Sequence, residues 1–79
     1  MKVLYFALAR ELASAESEAV TVPERSSVRD LARMLEEAHP ALSSLRGSLK
    51  FSVNFDVAEP GTALNEGDEV GVLPPVAGG

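Results

Sequence analysis

Apolar residues recur along the chain in short clusters, and the spacing within each cluster predicts strands and helices. Residues 2–7 form an apolar run rich in valine, tyrosine and phenylalanine, which predicts a strand buried on both faces. Residues 18–22 alternate polar and β-branched positions and predict a second strand, closed by Pro23 and paired with the first as a hairpin. Residues 10–15, between these strands, are compatible with a turn or two of helix.

The middle of the chain carries one helical pattern. Its apolar positions follow the i, i+3, i+4, i+7 spacing of a buried helix face: Val28, Leu31, Ala32, Leu35 and Ala38. Ser27 and Asp30 fit the capping pattern of a helix start, and Pro40 ends the helix because the residue before a proline avoids the α region. Residues 41–46 are expected to add a short helical turn.

The pattern in the last third of the chain predicts strands and turns. From residue 49 polar and apolar residues alternate strictly, which is typical of one long strand, or of two strands that turn near residues 54–56. The alternation places five apolar residues on one side: Leu49, Phe51, Val53, Phe55 and Val57. Leu64 is expected to be an isolated core residue, and Gly67 lies in a turn at a position that needs a positive φ. Residues 69–73 predict the last strand.

The predicted element order is β-β-α-β-(β)-β. One helix packed on one face of a mixed sheet satisfies the layer rule for a small α+β domain, and the β-grasp or ubiquitin-like arrangement fits this order. We therefore predict a β-grasp domain over residues 1–73, followed by a flexible C-terminal Gly-Gly tail over residues 74–79.

The C-terminal tail is the segment whose sequence indicates a role in a reaction, and that sequence is Pro74-Pro75-Val76-Ala77-Gly78-Gly79. The two prolines stop the preceding strand because proline has no N–H to donate to a sheet ladder. The glycines carry no side chain, so the tail is a thin thread that ends in a carboxylate. Six extended residues reach roughly 20 Å, which is enough to enter another protein's active site. The alternative is an inert, frayed chain end.

Composition excludes several functional classes. The 79 residues carry a net charge of −5, which disfavours nucleic acid and suits a partner with a basic face. Without cysteine the chain has no disulfide, no thiolate metal site and no cysteine nucleophile. No apolar run approaches the roughly 20 residues of a membrane span, and the N-terminal run is too short for a signal peptide, so we predict a cytoplasmic protein.

Three polar features are assigned structural interpretations. His39 is expected to be a solvated helix terminus rather than a catalytic group. The acidic cluster of residues 59–69 lacks the spacing of a calcium loop, so no metal site is predicted. Arg10 and Glu11 are interpreted as a structural pair.

Four segments together resemble a known family along the whole chain. They are Phe6-Ala7-x-x-Arg10-Glu11, Ser52-Val53-Asn54, Gly67-Asp68-Glu69-Val70 and the terminal Pro74-Pro75-Val76-Ala77-Gly78-Gly79. The chain resembles the small subunit of molybdopterin synthase, the MoaD-type sulfur carriers. The terminal Pro-Pro-Val-x-Gly-Gly is the most specific of the four, whereas the Gly-Asp-Glu-Val turn is shared with the thiamin-pathway sulfur carriers.

The resemblance implies a mechanism centred on Gly79. An E1-like activating enzyme would use ATP to adenylate the Gly79 carboxylate, and a sulfur donor protein would convert it to a thiocarboxylate. The large catalytic subunit of the synthase would then admit the tail, and the sulfur would attack the pterin precursor to build the molybdopterin dithiolene. The chain itself would bind no cofactor, and it would supply sulfur within a heterotetramer whose catalytic side chains belong to its partners.

The family's enzyme-facing apolar surface maps onto Phe6, Val57 and Leu73. Val72 and Leu73 stand where the family commonly has an aromatic pair, so aromatic anchors are missing at that position. Three alternatives stay open: a sulfur carrier for thiamin, cysteine or tungsten-cofactor synthesis, a ubiquitin-like protein modifier that conjugates through Gly79 to lysines, and an interaction domain with an inert tail.

Overall fold

The structure, a computed structural model, describes residues 1–75 of the chain. Its elements follow one another as β1 (Lys2–Tyr5), α1 (Ala7–Ala13), β2 (Ser17–Ala19), α2 (Val28–Ala38), a 3-10 helix (Pro40–Leu45), β3 (Lys50–Val53), β4 (Asp56–Ala58) and β5 (Glu69–Leu73). The predicted order is confirmed, with α1 lying in the connection between β1 and β2.

The strands form one mixed sheet in the order β2-β1-β5-β3-β4. The first and last strands, β1 and β5, are parallel neighbours at its centre, and the other neighbouring pairs are antiparallel. The helix α2 covers one face of this sheet. This is the predicted α+β, β-grasp arrangement.

The hydrophobic core lies between the sheet and its helices. Val3, Tyr5, Val70 and Val72 alternate along β1 and β5 and are almost completely buried. The helix α2 packs its buried positions Val28, Leu31 and Leu35 into the same core. Further buried residues complete the core: Ala9, Ala13, Leu42, Phe51 and Leu64. Leu64 therefore has its predicted role.

The helix α2 begins where the sequence predicts, because Ser27 and Asp30 form a reciprocal capping box. The Ser27 Oγ accepts a hydrogen bond from the Asp30 N–H at 3.3 Å, and the Asp30 carboxylate accepts one from the Ser27 N–H at 2.9 Å. Hydrogen bonds from Ser27 lower the pKa of the Asp30 carboxyl. Ala38, the last residue of α2 and the last of its predicted buried positions, is exposed.

Two predictions about the first strand are wrong. The strand ends at Tyr5 rather than continuing to residue 7, because Ala7 takes a φ of 48° and begins α1. The strand is also not buried on both faces, since Lys2 is exposed and Leu4 is only half-buried.

The alternating segment after residue 49 folds as two strands, which was the second of the two predicted arrangements. Asn54 and Phe55 form the turn, with φ values of 51° and 75°. The turn reverses the chain, so Phe55 and Val57 do not share the buried side with Phe51. Phe55 is 84% exposed and Val57 is 75% exposed, and their predicted place on the Phe51 side is wrong.

Candidate functional site

The predicted tail leaves the sheet from its central strand. Leu73, the last residue of β5, pairs with Lys50 of β3, and the Phe6 N–H donates a hydrogen bond to the Val72 carbonyl oxygen at 3.2 Å. Pro74 is half-buried and Pro75 is exposed, and both lie beyond the strand. The other predicted tail residues, Val76, Ala77, Gly78 and Gly79, lie outside the described residues. The point from which they continue is therefore held by strands on both sides.

The outer face of the sheet carries an exposed aromatic ring beside this exit. Gly71 pairs with Leu4 of β1 and Ser52 of β3, and these residues alternate with buried ones, so they face away from α2. A Cβ atom at Gly71 would lie 2.5 Å from Ser52 Oγ and 3.2 Å from Phe6 Cε2. The missing side chain at Gly71 thus allows the Phe6 ring to lie against the sheet, while 44% of Phe6 stays exposed.

The strand register places the three predicted partner-binding residues on one face. Val57 pairs with Ser52, and Leu73 pairs with Lys50, so both lie on the side of Gly71. We call Phe6, Val57 and Leu73, together with Gly71 beneath Phe6, the outer patch. Its three apolar side chains are absent from the hydrophobic core. Their role in binding a partner stays a prediction, now with exposed positions to support it.

Gly71 is the site residue that sequence reasoning missed. A glycine inside a strand weakens the strand and often marks a close approach of another group. This signal was present in the Val-Gly-Val sequence of the last strand. The group that approaches is the Phe6 ring, which belongs to a strand end far away along the chain.

A network of hydrogen bonds joins two of the sequence motifs. The Asp68 carboxylate accepts hydrogen bonds from the Asn65 N–H at 2.7 Å and from Asn54 Nδ2 at 3.0 Å. Asn54 also forms two hydrogen bonds with the backbone of Glu69. Its Oδ1 atom accepts one from the Glu69 N–H at 3.1 Å, and its backbone N–H donates one to the Glu69 carbonyl oxygen at 2.7 Å. These bonds to Asp68 lower the pKa of its carboxyl. The network fixes the β3–β4 turn to the start of β5.

His39 and Arg10 make polar contacts that differ from the predicted ones. His39 is not a solvated terminus, because its Nε2 atom lies 2.5 Å from Glu18 Oε2 and its ring packs edge-on against Tyr5. The Tyr5 hydroxyl donates to the same Glu18 carboxylate, and burial and this carboxylate raise the pKa of Tyr5. Arg10 pairs with Glu16 at 3.1 Å rather than with Glu11. These contacts connect β2 to the rest of the domain.

Within residues 1–75, no group of three or more histidine, aspartate or glutamate side chains is placed to hold a metal ion. No helix in this part of the chain has the length and apolar character needed to cross a membrane.

Comparison with known proteins gives consistent results along the whole chain. Residues 3–79 match the ThiS family. The chain is 35% identical over 82 residues to the molybdopterin synthase sulfur carrier subunit of Homo sapiens, and this alignment covers 100% of the chain and 93% of the human protein. It is 37% identical over 81 residues to the protein of the same name from Chlamydomonas reinhardtii, covering 100% and 98%.

The structure is also similar to a solved structure with a different name. The crystal structure of SAMP1, small archaeal modifier protein 1, from Haloferax volcanii superposes with a TM-score of 0.86 at 32% identity. The superposition covers 99% of the chain and 97% of the archaeal protein. The β-grasp fold of the described residues is therefore shared with the archaeal protein.

Proposed function

The chain belongs to the ThiS family, and on this basis we propose that it is the sulfur carrier subunit of a molybdopterin synthase. The observation that supports this most strongly is the identity of 35–37% to sulfur carrier subunits in alignments that include all 79 residues, the Gly-Gly terminus among them. The exit of the tail from the central strand, beside an exposed apolar patch, suits a carrier that docks by its body and inserts its terminus.

The chemistry proposed for Gly79 follows from the properties of a carboxylate. An α-carboxyl group has a pKa of about 3.3–3.7, so it is ionised at neutral pH and is a poor electrophile. Attack of the Gly79 carboxylate on the α-phosphorus of ATP would form an acyl-adenylate and release pyrophosphate. A sulfur nucleophile would then attack the acyl carbon and displace AMP, leaving a thiocarboxylate. ATP would be bound by the activating enzyme, and we expect this chemistry in the cytoplasm.

The chain itself would contribute a surface that binds the large subunit and a tail long enough to enter its active site. The outer patch offers exposed apolar surface to the large catalytic subunit, and apolar contacts of this kind supply much of the affinity at an interface. From Leu73 the remaining residues reach roughly 20 Å when extended. Gly78 and Gly79 have no Cβ atom, so an enzyme can enclose the reacting carboxylate closely.

Intact-mass measurement tests the proposal directly. The chain would be incubated with ATP, a sulfide source and an activating enzyme from the same organism. We expect a mass gain equal to the exchange of one oxygen for one sulfur, and no gain after deletion of Gly79. The deletion should leave the thermal midpoint unchanged, because the core lies between Val3 and Val72.

The control is ATP–pyrophosphate exchange with the same activating enzyme. Exchange without a mass gain would show that Gly79 is adenylated but receives no sulfur, which contradicts the carrier proposal. A large loss of thermal stability on deletion of Gly79 would contradict the independence of the tail from the core.

A second candidate is a protein modifier joined through Gly79 to lysine side chains. The similarity to small archaeal modifier protein 1, with a TM-score of 0.86, favours it. Both candidates begin with adenylation of Gly79, so they differ in the nucleophile that attacks the acyl-adenylate. Mass spectrometry of cell extracts separates them, because only a modifier leaves lysine-linked peptides that carry the Gly78-Gly79 terminus.

A further inference from the structure

A groove of about 950 Å³ lies between α2 and the β3–β4 hairpin. Its apolar lining comes from Val28, Ala32, Leu49, Phe51, Val57 and Ala58. One end is closed by the segment after β4, where the Arg29 N–H donates to the Pro60 carbonyl at 2.9 Å. The other end is closed by residues of the 3-10 helix and the turn that follows it. The outer patch lies on the opposite face of the sheet, and only Val57 borders both surfaces.

The charge of this groove is opposite to that of the chain. Four of the seven basic residues line it, namely Arg29, Arg33, Arg46 and Lys50, against three of the twelve acidic residues. Arg46 is bound to Glu36 at 2.6 Å. Arg29, Arg33 and Lys50 form no ion pair with any residue between 1 and 75, where all the charged side chains of the chain lie. An acidic protein thus presents a local site for negative charge.

The strand β4 is an edge of the sheet, and its pairing leaves backbone groups free to bind another strand. Val53 and Asp56 flank a two-residue turn, so they form the hydrogen-bonded pair that closes the hairpin. The next pair, Ser52 and Val57, is then the non-hydrogen-bonded kind. The N–H and C=O groups of Val57 therefore point away from β3, towards the open edge of the sheet.

We propose that this groove binds an acidic, extended segment of a partner protein, which adds as a strand to the β4 edge. The 11 residues of α2 span roughly 16 Å, which matches about five residues in an extended strand. Backbone bonds at Val57 would set the register of the segment. Its side chains would alternate between the two faces of the sheet, with carboxylates on the α2 side meeting Arg29 and Arg33 and apolar side chains on the other side contacting Val57. This surface goes beyond the proposed sulfur transfer.

The test is an NMR titration of the full-length, ¹⁵N-labelled chain. The probe is a capped peptide of about six residues that alternates glutamate and valine, and the control probe alternates lysine and valine. We expect the glutamate peptide to shift the amide signals of Val57, Ala58 and Arg29 saturably, and the lysine peptide to leave them unchanged. Saturable shifts confined to Phe6, Gly71 and Leu73 of the outer patch, or no shifts, would overturn the proposal.

Two matched charge reversals locate the site. Arg29→Glu and Arg25→Glu make the same change at exposed arginines, but only Arg29 lines the groove. We expect Arg29→Glu to raise the Kd for the glutamate peptide about tenfold, since it removes a charge-assisted contact. Arg25→Glu should change it less than about twofold, because Arg25 does not line the groove and salt screens exposed charges that make no direct contact. Equal effects of both variants would mean non-specific attraction and would overturn the proposal.

Formation of the Gly79 thiocarboxylate is measured in parallel on both variants. We expect wild-type yields from each, because neither arginine lies in the outer patch or the tail. If Arg29→Glu loses peptide binding but forms the thiocarboxylate normally, the result concerns the groove alone. If the wild-type chain forms no thiocarboxylate, the result concerns the proposed function alone.

Discussion

Asp68 joins two turns through one carboxylate, and this makes the stability of the fold depend on pH. The hydrogen bonds from Asn65 and Asn54 favour the ionised form and lower the pKa of the folded state. A carboxyl whose pKa is lower in the folded chain than in the unfolded chain stabilises the fold fully above the unfolded pKa, which is about 3.9 for aspartate. That stabilisation is lost as the pH falls through the folded pKa.

The variant Asp68→Asn tests this contribution. We expect the free energy of unfolding at neutral pH to fall by about 1–2 kcal/mol, because an amide has one acceptor oxygen and can keep only one of the two hydrogen bonds that the carboxylate accepts. The loss of stability below about pH 4 should also become shallower. Urea unfolding between neutral pH and about pH 2 measures both effects.

Asp56→Asn is the matched control for Asp68→Asn. Asp56 is an exposed aspartate whose side chain accepts no hydrogen bond from residues 1–75. Its substitution should leave the pH dependence of wild type intact. If both variants gave the same pH profile, the Asp68 network would not be its source.

At the scale of single residues, the sequence predicts conformation better than contacts. Gly67 has the positive φ that its turn required, with a value of 88°, because this requirement is local. The partner of His39 could not be found in this way, since Glu18 lies 21 residues away and is brought close only by the sheet. Gly71 and Phe6 are a second such pair.

At the scale of elements, the turn between β3 and β4 contains backbone strain that a substitution can relieve. Positive φ values at both turn residues are typical of a type I′ hairpin, for which Asn-Gly is the preferred sequence. Here the second position is Phe55, and an L-residue in this region costs roughly 1–2 kcal/mol. The side chain is 84% exposed, so its loss removes little buried area.

We therefore expect Phe55→Gly to stabilise the domain by about 1 kcal/mol, measured by chemical denaturation. Phe55→Ala is the control, because it removes the ring but keeps a Cβ atom at the same positive φ. If the alanine variant were as stable as the glycine variant, loss of the exposed ring rather than relief of the backbone would be the cause.

Elements with local start and stop signals are those that the sequence defines well. The helix α2 has its capping box and its proline, and the structure places it where these signals indicate. The alternation from residue 49 onwards could not distinguish one strand from two, because both preserve a period of two. The end of β1 was missed for a related reason, since apolar residues continue through the junction into α1.

At the scale of the molecule, the sheet separates the hydrophobic core on one face from the outer patch on the other. One face and α2 form the core, and the other face carries the outer patch beside the exit of the tail. The strand order that produces this arrangement joins the first strand to the last, and such long-range pairing has no local signal in the sequence. The resemblance to a family supplied the predicted partner-binding residues, and the register of the strands places Val57 and Leu73 on the face against which the Phe6 ring lies.

The outer patch leads to a prediction about assembly with the large subunit. Leu73→Asp places a charge on the patch next to the tail, and burying that charge against an apolar partner is costly. We expect the Kd for the large subunit, measured by isothermal titration calorimetry, to rise at least about tenfold. The free energy of unfolding should change by less than about 1 kcal/mol, because Leu73 is outside the core.

The control Leu8→Asp makes the same substitution at a residue of α1 that is 44% exposed and is not part of the patch. It should bind the large subunit with wild-type affinity. If Leu73→Asp also retained wild-type affinity while folding normally, the large subunit would not contact the patch at Leu73. If instead both variants bound weakly, the interface would extend over α1, and docking would require α1 as well as the outer face of the sheet.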